Sequence, residues 1–184
     1  GQMKVALIVP VFPQVSETFI VNKALGLLDR GVDVHVVCSA SPQANWATYG
    51  EEHRVHQLRA RVHVSPSTSL RPSVLASSLR SVACLATARG EAWRYLRNDG
   101  APKGRRVRDL VIDAPLLALA PDVVHFEFGA LASDRMALRE RLGSAVTVSF
   151  RGYDLNYVGL DDPDHYREVW DRADGIHVLG EDLW

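Results

Sequence analysis

Residues 3–39 read MKVALIVPVFPQVSETFIVNKALGLLDRGVDVHVVCS, and the changes of period within them decide the fold. Lys4 to Val9 is a continuous aliphatic and β-branched run, the composition of a strand covered on both faces. Pro10 and Pro13 end it. In the stretch that follows, Ser16 stands where an N-cap is due and Glu17 and Thr18 fill the first turn. Phe19, Ile20, Lys23, Ala24, Leu27 and Leu28 then share one largely apolar helical face. Gly31 stops the helix, and Asp33 to Ser39 makes a second apolar strand. Strand, helix and strand in this order predict parallel pairing through a right-handed crossover.

The same rhythm continues. Residues 40–60 lack a period and read as a surface excursion, and ARVHVSP, residues 60–66, reads as a short third strand. From Pro72 to Gly100, Leu75, Leu79, Val82, Ala86, Trp93 and Leu96 fall at spacings of a long amphipathic helix, with Arg89 interrupting the apolar row. A turn at 98–104 leads to a helix over Arg105 to Ala120, which Pro115 either kinks or ends early. Then come a strand at 122–128, a helix at 130–143 closed by Gly143, a strand at 145–150, a helix at 163–173 and a strand at 175–180. About six strands alternating with helices predict an α/β, doubly wound, mostly parallel Rossmann-like sheet.

At 184 residues and 47% hydrophobic the chain supports one sizeable core, a single domain from Met3 to Trp184. A formal charge of -1 argues against a general nucleic-acid binder. No apolar stretch reaches the roughly 18–20 residues of a spanning helix, and the start runs into a strand rather than a cleavage site, so the chain reads as cytoplasmic. Cys38 and Cys84 sit in an apolar strand and an apolar helix without metal-ligand spacing and read as buried thiols. No metal site is expected.

Ligands of open α/β sheets bind beyond the carboxyl ends of the strands. The turn after the first strand has none of the glycines of a G-x-G-x-x-G loop, which disfavours a dinucleotide-binding enzyme. It offers a helix N-terminus with Ser16, Glu17 and Thr18 for an anion or sugar hydroxyls, or else Ser16 only caps its helix. In the fourth strand His125 and Glu127 share one face while Phe126 and Phe128 share the other, and Gly129 lets the chain turn and approach a ligand. The alternative is a histidine satisfied by a backbone carbonyl with an incidental neighbour. After the fifth strand, Arg151 is cationic, Gly152 permits an unusual backbone conformation, and Tyr153 and Asp154 can hydrogen-bond a polar ligand. Arg151 and Asp154 paired with one another is the simpler reading. Gly180 and Glu181 stand where a further helix is due, which suggests a domain boundary at the end of the chain.

Four stretches, MKVALIVPVFPQVSETFI, PDVVHFEFG, VTVSFRGYD and WDRADGIHVLGEDL, appear in this order on the strand alternation. Together they resemble the N-terminal, acceptor-side domain of a GT-B glycosyltransferase of family four, the exopolysaccharide and colanic-acid type. The likeness covers Met3 to Trp184. It implies one half of a GT-B fold, with nucleotide-sugar binding mainly in a C-terminal domain that these residues do not contain. It also implies acceptor binding here, by Pro13, Ser16, Glu17 and Thr18, by Phe128 and Gly129, and by Arg151, Gly152, Tyr153 and Asp154. His125 and Glu127 are the implied catalytic pair: relatives carry H-x-H-F-G at this strand end, and here Glu127 replaces the second histidine. Arg151 likewise stands where a histidine is commoner.

The resemblance implies a retaining transfer from a nucleotide-sugar co-substrate to a glycan, lipid-linked or small-molecule acceptor, without cofactor or metal in this domain. Arg89, Arg94, Arg97, Lys103, Arg105, Arg106 and Arg108, interleaved with Trp93 and Tyr95, suggest peripheral contact with an anionic membrane, against the plainer reading of a solvated helical face. A non-catalytic carbohydrate-binding module is the alternative function. A response-regulator-like domain would need acidic residues after the first strand, where Pro10, Val11 and Phe12 stand.

Overall fold

The computed structural model describes residues 1–65, 86, 89–97 and 103–179, the side chains of 89, 91 and 103–107 excepted. Residues 72–85, 87 and 88 of the expected long helix, with Cys84, and residues 98–102 of the turn expected at 98–104 lie outside the described residues, as do Gly180 and Glu181, while residues 103 and 104 of that turn belong to a helix. Six strands form one parallel sheet in the order β3-β2-β1-β4-β5-β6. They are β1 (Lys4–Val11), β2 (Asp33–Ala40), β3 (Val62–Val64), β4 (Val123–Phe126), β5 (Ala145–Phe150) and β6 (Gly175–Val178). This is the doubly wound Rossmann-like order, and it places the topological switch point between β1 and β4.

Among the described residues the α-helices are α1 (Thr18–Asp29), α2 (Gln43–Ala47), α3 (Arg89–Arg97), α4 (Lys103–Leu119), α5 (Leu138–Leu142), α6 (Gly152–Tyr157) and α7 (Arg167–Arg172). Two cores follow from the alternation of side chains along the strands. Val5, Leu7 and Val9 of β1 join Ile20, Val21, Ala24 and Leu25 of α1 on one face. Ala6, Val124, Phe126, Val146, Val148 and Phe150 join α4 and the elements between β4 and β6 on the other.

Several expectations change. Ser16 is not the N-cap of α1: a 3-10 turn, Val15–Glu17, precedes the helix, Glu17 occupies the cap position, and no side chain caps it. The buried face of α1 is Ile20, Val21, Ala24 and Leu25, which leaves Phe19 and Lys23 on its edge. Gly31 does terminate α1 in the left-handed conformation at φ 79°, with Gly31 N–H and Val32 N–H donating to the carbonyls of Leu28 and Leu27. The excursion at 40–60 is not mere surface. It holds α2 and a 3-10 helix, Arg54–Arg61, and buries Trp46, Val55 and Leu58 in the core.

Pro115 lies within α4, which runs on to Leu119 rather than ending early. The helices expected at 130–143 and 163–173 shrink to α5 and α7, and Gly143 is the left-handed stop of α5 at φ 71°. Cys38 is buried, which pushes its thiol up to about 12. Tyr95 turns inward: it is buried and its hydroxyl donates to Asp113 at 2.5 Å, while Trp93, Arg94 and Arg97 of the expected basic-aromatic face on α3 are exposed. No helix among the described residues is long and apolar enough to cross a membrane.

Candidate functional site

The parallel order brings the turn after β1, the end of β4 and the start of α6 to one edge of the sheet. Pairing of β4 stops at Phe126, although Glu127 N–H still donates to the Ile8 carbonyl at 3.1 Å. Beyond that bond the strand alternation fails. Phe126 enters the core on the α4 face, whereas Phe128 packs against the core on the α1 face, so the two phenylalanines do not share a face.

Glu127 is fully buried. Its Oε2 accepts from Lys23 Nζ at 2.9 Å and from Arg151 Nη2 at 3.1 Å. Arg151 Nε also donates to the Glu127 carbonyl at 3.2 Å, and the guanidinium lies over the Phe19 ring at 3.9 Å and near the Phe128 ring at 5.5 Å. Two cations on one carboxylate leave this cluster with a net positive charge, part of it in reach of solvent through Lys23, whose side chain is 31% exposed. Glu127 Oε1 has no hydrogen-bond partner among the described residues and lies 3.7 Å from His125 Nε2. His125 and Glu127 therefore do meet, as the strand spacing predicts.

His125 is itself enclosed by side chains. Its Nδ1 lies 2.7 Å from Thr147 Oγ1 and its Nε2 lies 3.1 Å from Ser149 Oγ and 3.4 Å from Lys23 Nζ. An ammonium only donates, so Lys23 makes Nε2 the acceptor and assigns the ring proton to Nδ1, facing Thr147. Burial lowers the imidazole to about 4; Glu127 opposes the shift, while Lys23, His177 and Arg151 add to it. The ring is neutral at pH 7. Ser149 Oγ continues the chain to Nδ1 of the exposed His177 at 3.3 Å. Lys23, Leu27, His125, Thr147, Ser149 and His177 line part of an open cavity of about 340 Å³ beneath this edge.

The remaining expected residues divide into two groups. Ser16 and Thr18 are exposed beside the cluster. Burial raises the Glu17 carboxyl, with Arg151 opposing and Glu127 reinforcing, so Glu17 faces the same charges. Pro13 follows a cis peptide, is buried, and its carbonyl accepts from Asn45 Nδ2 at 2.9 Å. Asp154 is fully buried and pairs with main chain, not with the Arg151 guanidinium: Oδ1 accepts from Ala130 N–H at 3.0 Å and Oδ2 from Arg151 N–H at 2.9 Å. It ties α6 to the turn after β4.

The two glycines have other reasons than those expected. A Cβ on Gly129 would lie 2.3 Å from Phe150 Cε1, so the close approach there is to a core ring rather than to a ligand. Gly152 has ordinary helical backbone and room for a side chain. Tyr153 is 65% exposed. Sequence reading missed Lys23, Phe19, Thr147 and Ser149 as members of the cluster; a lysine within a row of apolar α1 residues was the one available signal.

On the α4 face a second cavity, of about 650 Å³, is lined by Arg108, Asp109, Asp113, Asp134, Arg135 and Arg141 among others. Arg135 and the Tyr95 hydroxyl engage the buried Asp113, and burial raises that carboxyl against the pull of Arg135. Arg135 and the buried Asp113 form an ion pair at the wall of this cavity, whereas Arg108 and Asp134 are exposed at its rim. No group of three or more metal-ligating side chains is assembled among the described residues. Comparison with known proteins found no matching family model, no matching curated protein and no matching solved structure.

Proposed function

We propose that this chain is the acceptor-binding half of a retaining glycosyltransferase, which moves a sugar from a nucleotide-sugar donor to a glycan, lipid-linked or small-molecule acceptor. The observation that carries this reading is the Lys23–Glu127–Arg151 cluster beside the neutral His125, set at the switch point of a doubly wound sheet. The turn after β1 holds no glycine, so a pyrophosphate has no close backbone approach there. The nucleotide-binding domain is assigned to residues outside this chain.

Glycosyl transfer passes through an oxocarbenium-like state as a negatively charged diphosphate leaves, so the protein must position the reactants and stabilise charge. Within this reading Lys23 and Arg151 supply fixed positive charge, and Glu17, Ser16 and Thr18 supply hydrogen-bonding groups for sugar hydroxyls. Glu127 is a positioning residue: a carboxylate held by two cations and closed to solvent is placed to orient Lys23 and Arg151, not to attack carbon. Contact with the transferred sugar falls to the His125 side of the pair.

One observation favours the second reading, a carbohydrate-binding module without catalysis. Both nitrogens of His125 are already engaged by Thr147, Ser149 and Lys23. A cytoplasmic site of action, with peripheral contact to an anionic membrane through Trp93, Arg94 and Arg97, belongs to the transferase reading. Reversing Arg94 and Arg97 to glutamate then lowers binding to anionic vesicles; unchanged binding removes that part.

Saturation-transfer NMR on this chain against nucleotide diphosphate sugars and oligosaccharides tests the assignment. Binding of oligosaccharide but not of nucleotide, lost in Arg151→Ala, is the expected result. Tight nucleotide binding by the chain alone contradicts it.

A further inference from the structure

Beside Arg151, the short helix α6 is locked on its inner side and bare on its outer side. Inward, the Asp154 carboxylate holds Ala130 and Arg151 N–H, and the Tyr166 hydroxyl donates to the Asp154 carbonyl at 3.1 Å. Outward, Tyr153 and Tyr157 stand one turn apart, 65% and 73% exposed, with ring centroids 5.7 Å apart and planes 24° from parallel. Leu160, 67% exposed, follows them. Exposed aromatic surface of this extent gains nothing from burial in the core, and its rigid mounting means that its order is already supplied by α6.

We propose that Tyr153 and Tyr157 form an aromatic shelf that takes the ring face of a pyranose, an acceptor subsite adjoining the Lys23–Glu127–Arg151 cluster. The proposal rests on the carbohydrate-acceptor reading above and names how that site extends. A pyranose has an apolar C–H face and a rim of hydroxyls. A pair of near-parallel phenol rings offers the matching combination, flat apolar area with hydroxyl tips.

The size of the strip selects this occupant over a protein. Specific protein contacts bury on the order of 800 Å² per partner, whereas the strip is three side chains bordered by the exposed polar residues Asn156, Asp161 and Asp162. Its position selects the class of sugar contact. Tyr153 lies two residues after Arg151, so a glycan whose terminal unit reaches the charged cluster lays its next units along α6. Longer acceptors then bind more tightly than monosaccharides, and the gain resides in the shelf.

The test uses the 184-residue chain and a panel of glucose, mannose and galactose saccharides, each as mono-, di- and tetrasaccharide, by isothermal titration and saturation-transfer NMR. The variants are Tyr153→Ala/Tyr157→Ala, Tyr153→Phe/Tyr157→Phe and Arg151→Ala. The expected result is a preference for tetrasaccharide that falls about tenfold in the alanine pair and stays within about threefold in the phenylalanine pair. Both side chains are exposed, so the alanine pair keeps the thermal midpoint of the parent. Undiminished tetrasaccharide binding by the alanine pair, with loss in Arg151→Ala, overturns the shelf and leaves the acceptor reading standing. No saccharide binding by the parent chain overturns both. A self-associating parent made monomeric by the alanine pair, in sedimentation, overturns the shelf in favour of a protein contact.

Discussion

Arg151 grips Glu127 twice, once through Nη2 on the carboxylate at 3.1 Å and once through Nε on the residue's own carbonyl at 3.2 Å. With Lys23 on the same oxygen at 2.9 Å, one buried anion holds together three elements: α1, the end of β4 and the turn after β5. Removing that anion leaves two cations facing each other in a poorly solvated place. Glu127→Gln is expected to cost about 2–4 kcal/mol, below the full buried-pair range because Lys23 reaches solvent. Urea denaturation measures it, and a loss under about 0.5 kcal/mol would mean that the cluster is held by something else.

The pH dependence follows from His125. An unfolded histidine takes up its proton near 6.5, and the folded ring resists until about 4. The folded state therefore holds fewer protons in that window, and stability falls as pH drops from about 6.5 toward about 4, then levels off. The contribution is on the order of 3 kcal/mol at its limit. Urea unfolding of the parent and of His125→Gln at pH 7, 5 and 4 isolates it, since other titrating groups are common to both. The gap should narrow or reverse in favour of the variant as the medium is acidified.

Phe150 explains Gly129. The ring is fully buried between Tyr166, in an edge contact at 5.0 Å, and Trp170, stacked at 4.4 Å, so it has no room to withdraw from a Cβ placed 2.3 Å away. Gly129→Ala is expected to destabilise by about 3 kcal/mol through overpacking. Gly152→Ala, where the nearest atom would be 3.7 Å away, is the contrast and should be neutral or slightly stabilising. Thermal melts of the two variants side by side check the pair.

Asp154 acts through backbone. Asp154→Ala strands Ala130 and Arg151 N–H, and the expected loss is about 2 kcal/mol. Amide exchange should quicken at Ala130 and Arg151 before it does in β4 or β5. Unchanged exchange at both amides would show that water replaces the carboxylate without cost.

The strands were the legible part of this fold, because β1 reads as a continuous aliphatic run, Lys4 to Val9, and β2, β4 and β5 are short stretches rich in valine bounded by turns and helical patterns. Helix bounds were less legible where apolar residues recur without helical pairing: Leu131, Ala132 and Met136 fit a helical row, yet they pack from 3-10 and turn segments. Trp46, Val55 and Leu58 enter the core from a stretch with no period at all, which only tertiary packing explains. At the site, the meeting of His125 and Glu127 was visible in their spacing. The partners were not, because Lys23 and Arg151 lie 104 and 24 residues from Glu127 and meet it only through the strand order. Glycines misled in turn, since Gly129 answers to a core ring and Gly152 to nothing in its surroundings.

The central claim is that a carbohydrate acceptor binds at the switch-point edge. Amide chemical-shift mapping of the labelled chain, titrated with the saccharide that binds best, tests it most directly. The account predicts shifts concentrated at residues 16–19, Lys23, residues 127–129 and residues 151–157. Shifts centred instead on Arg108, Asp134 and Arg135 around the cavity on the other face of the sheet would contradict it.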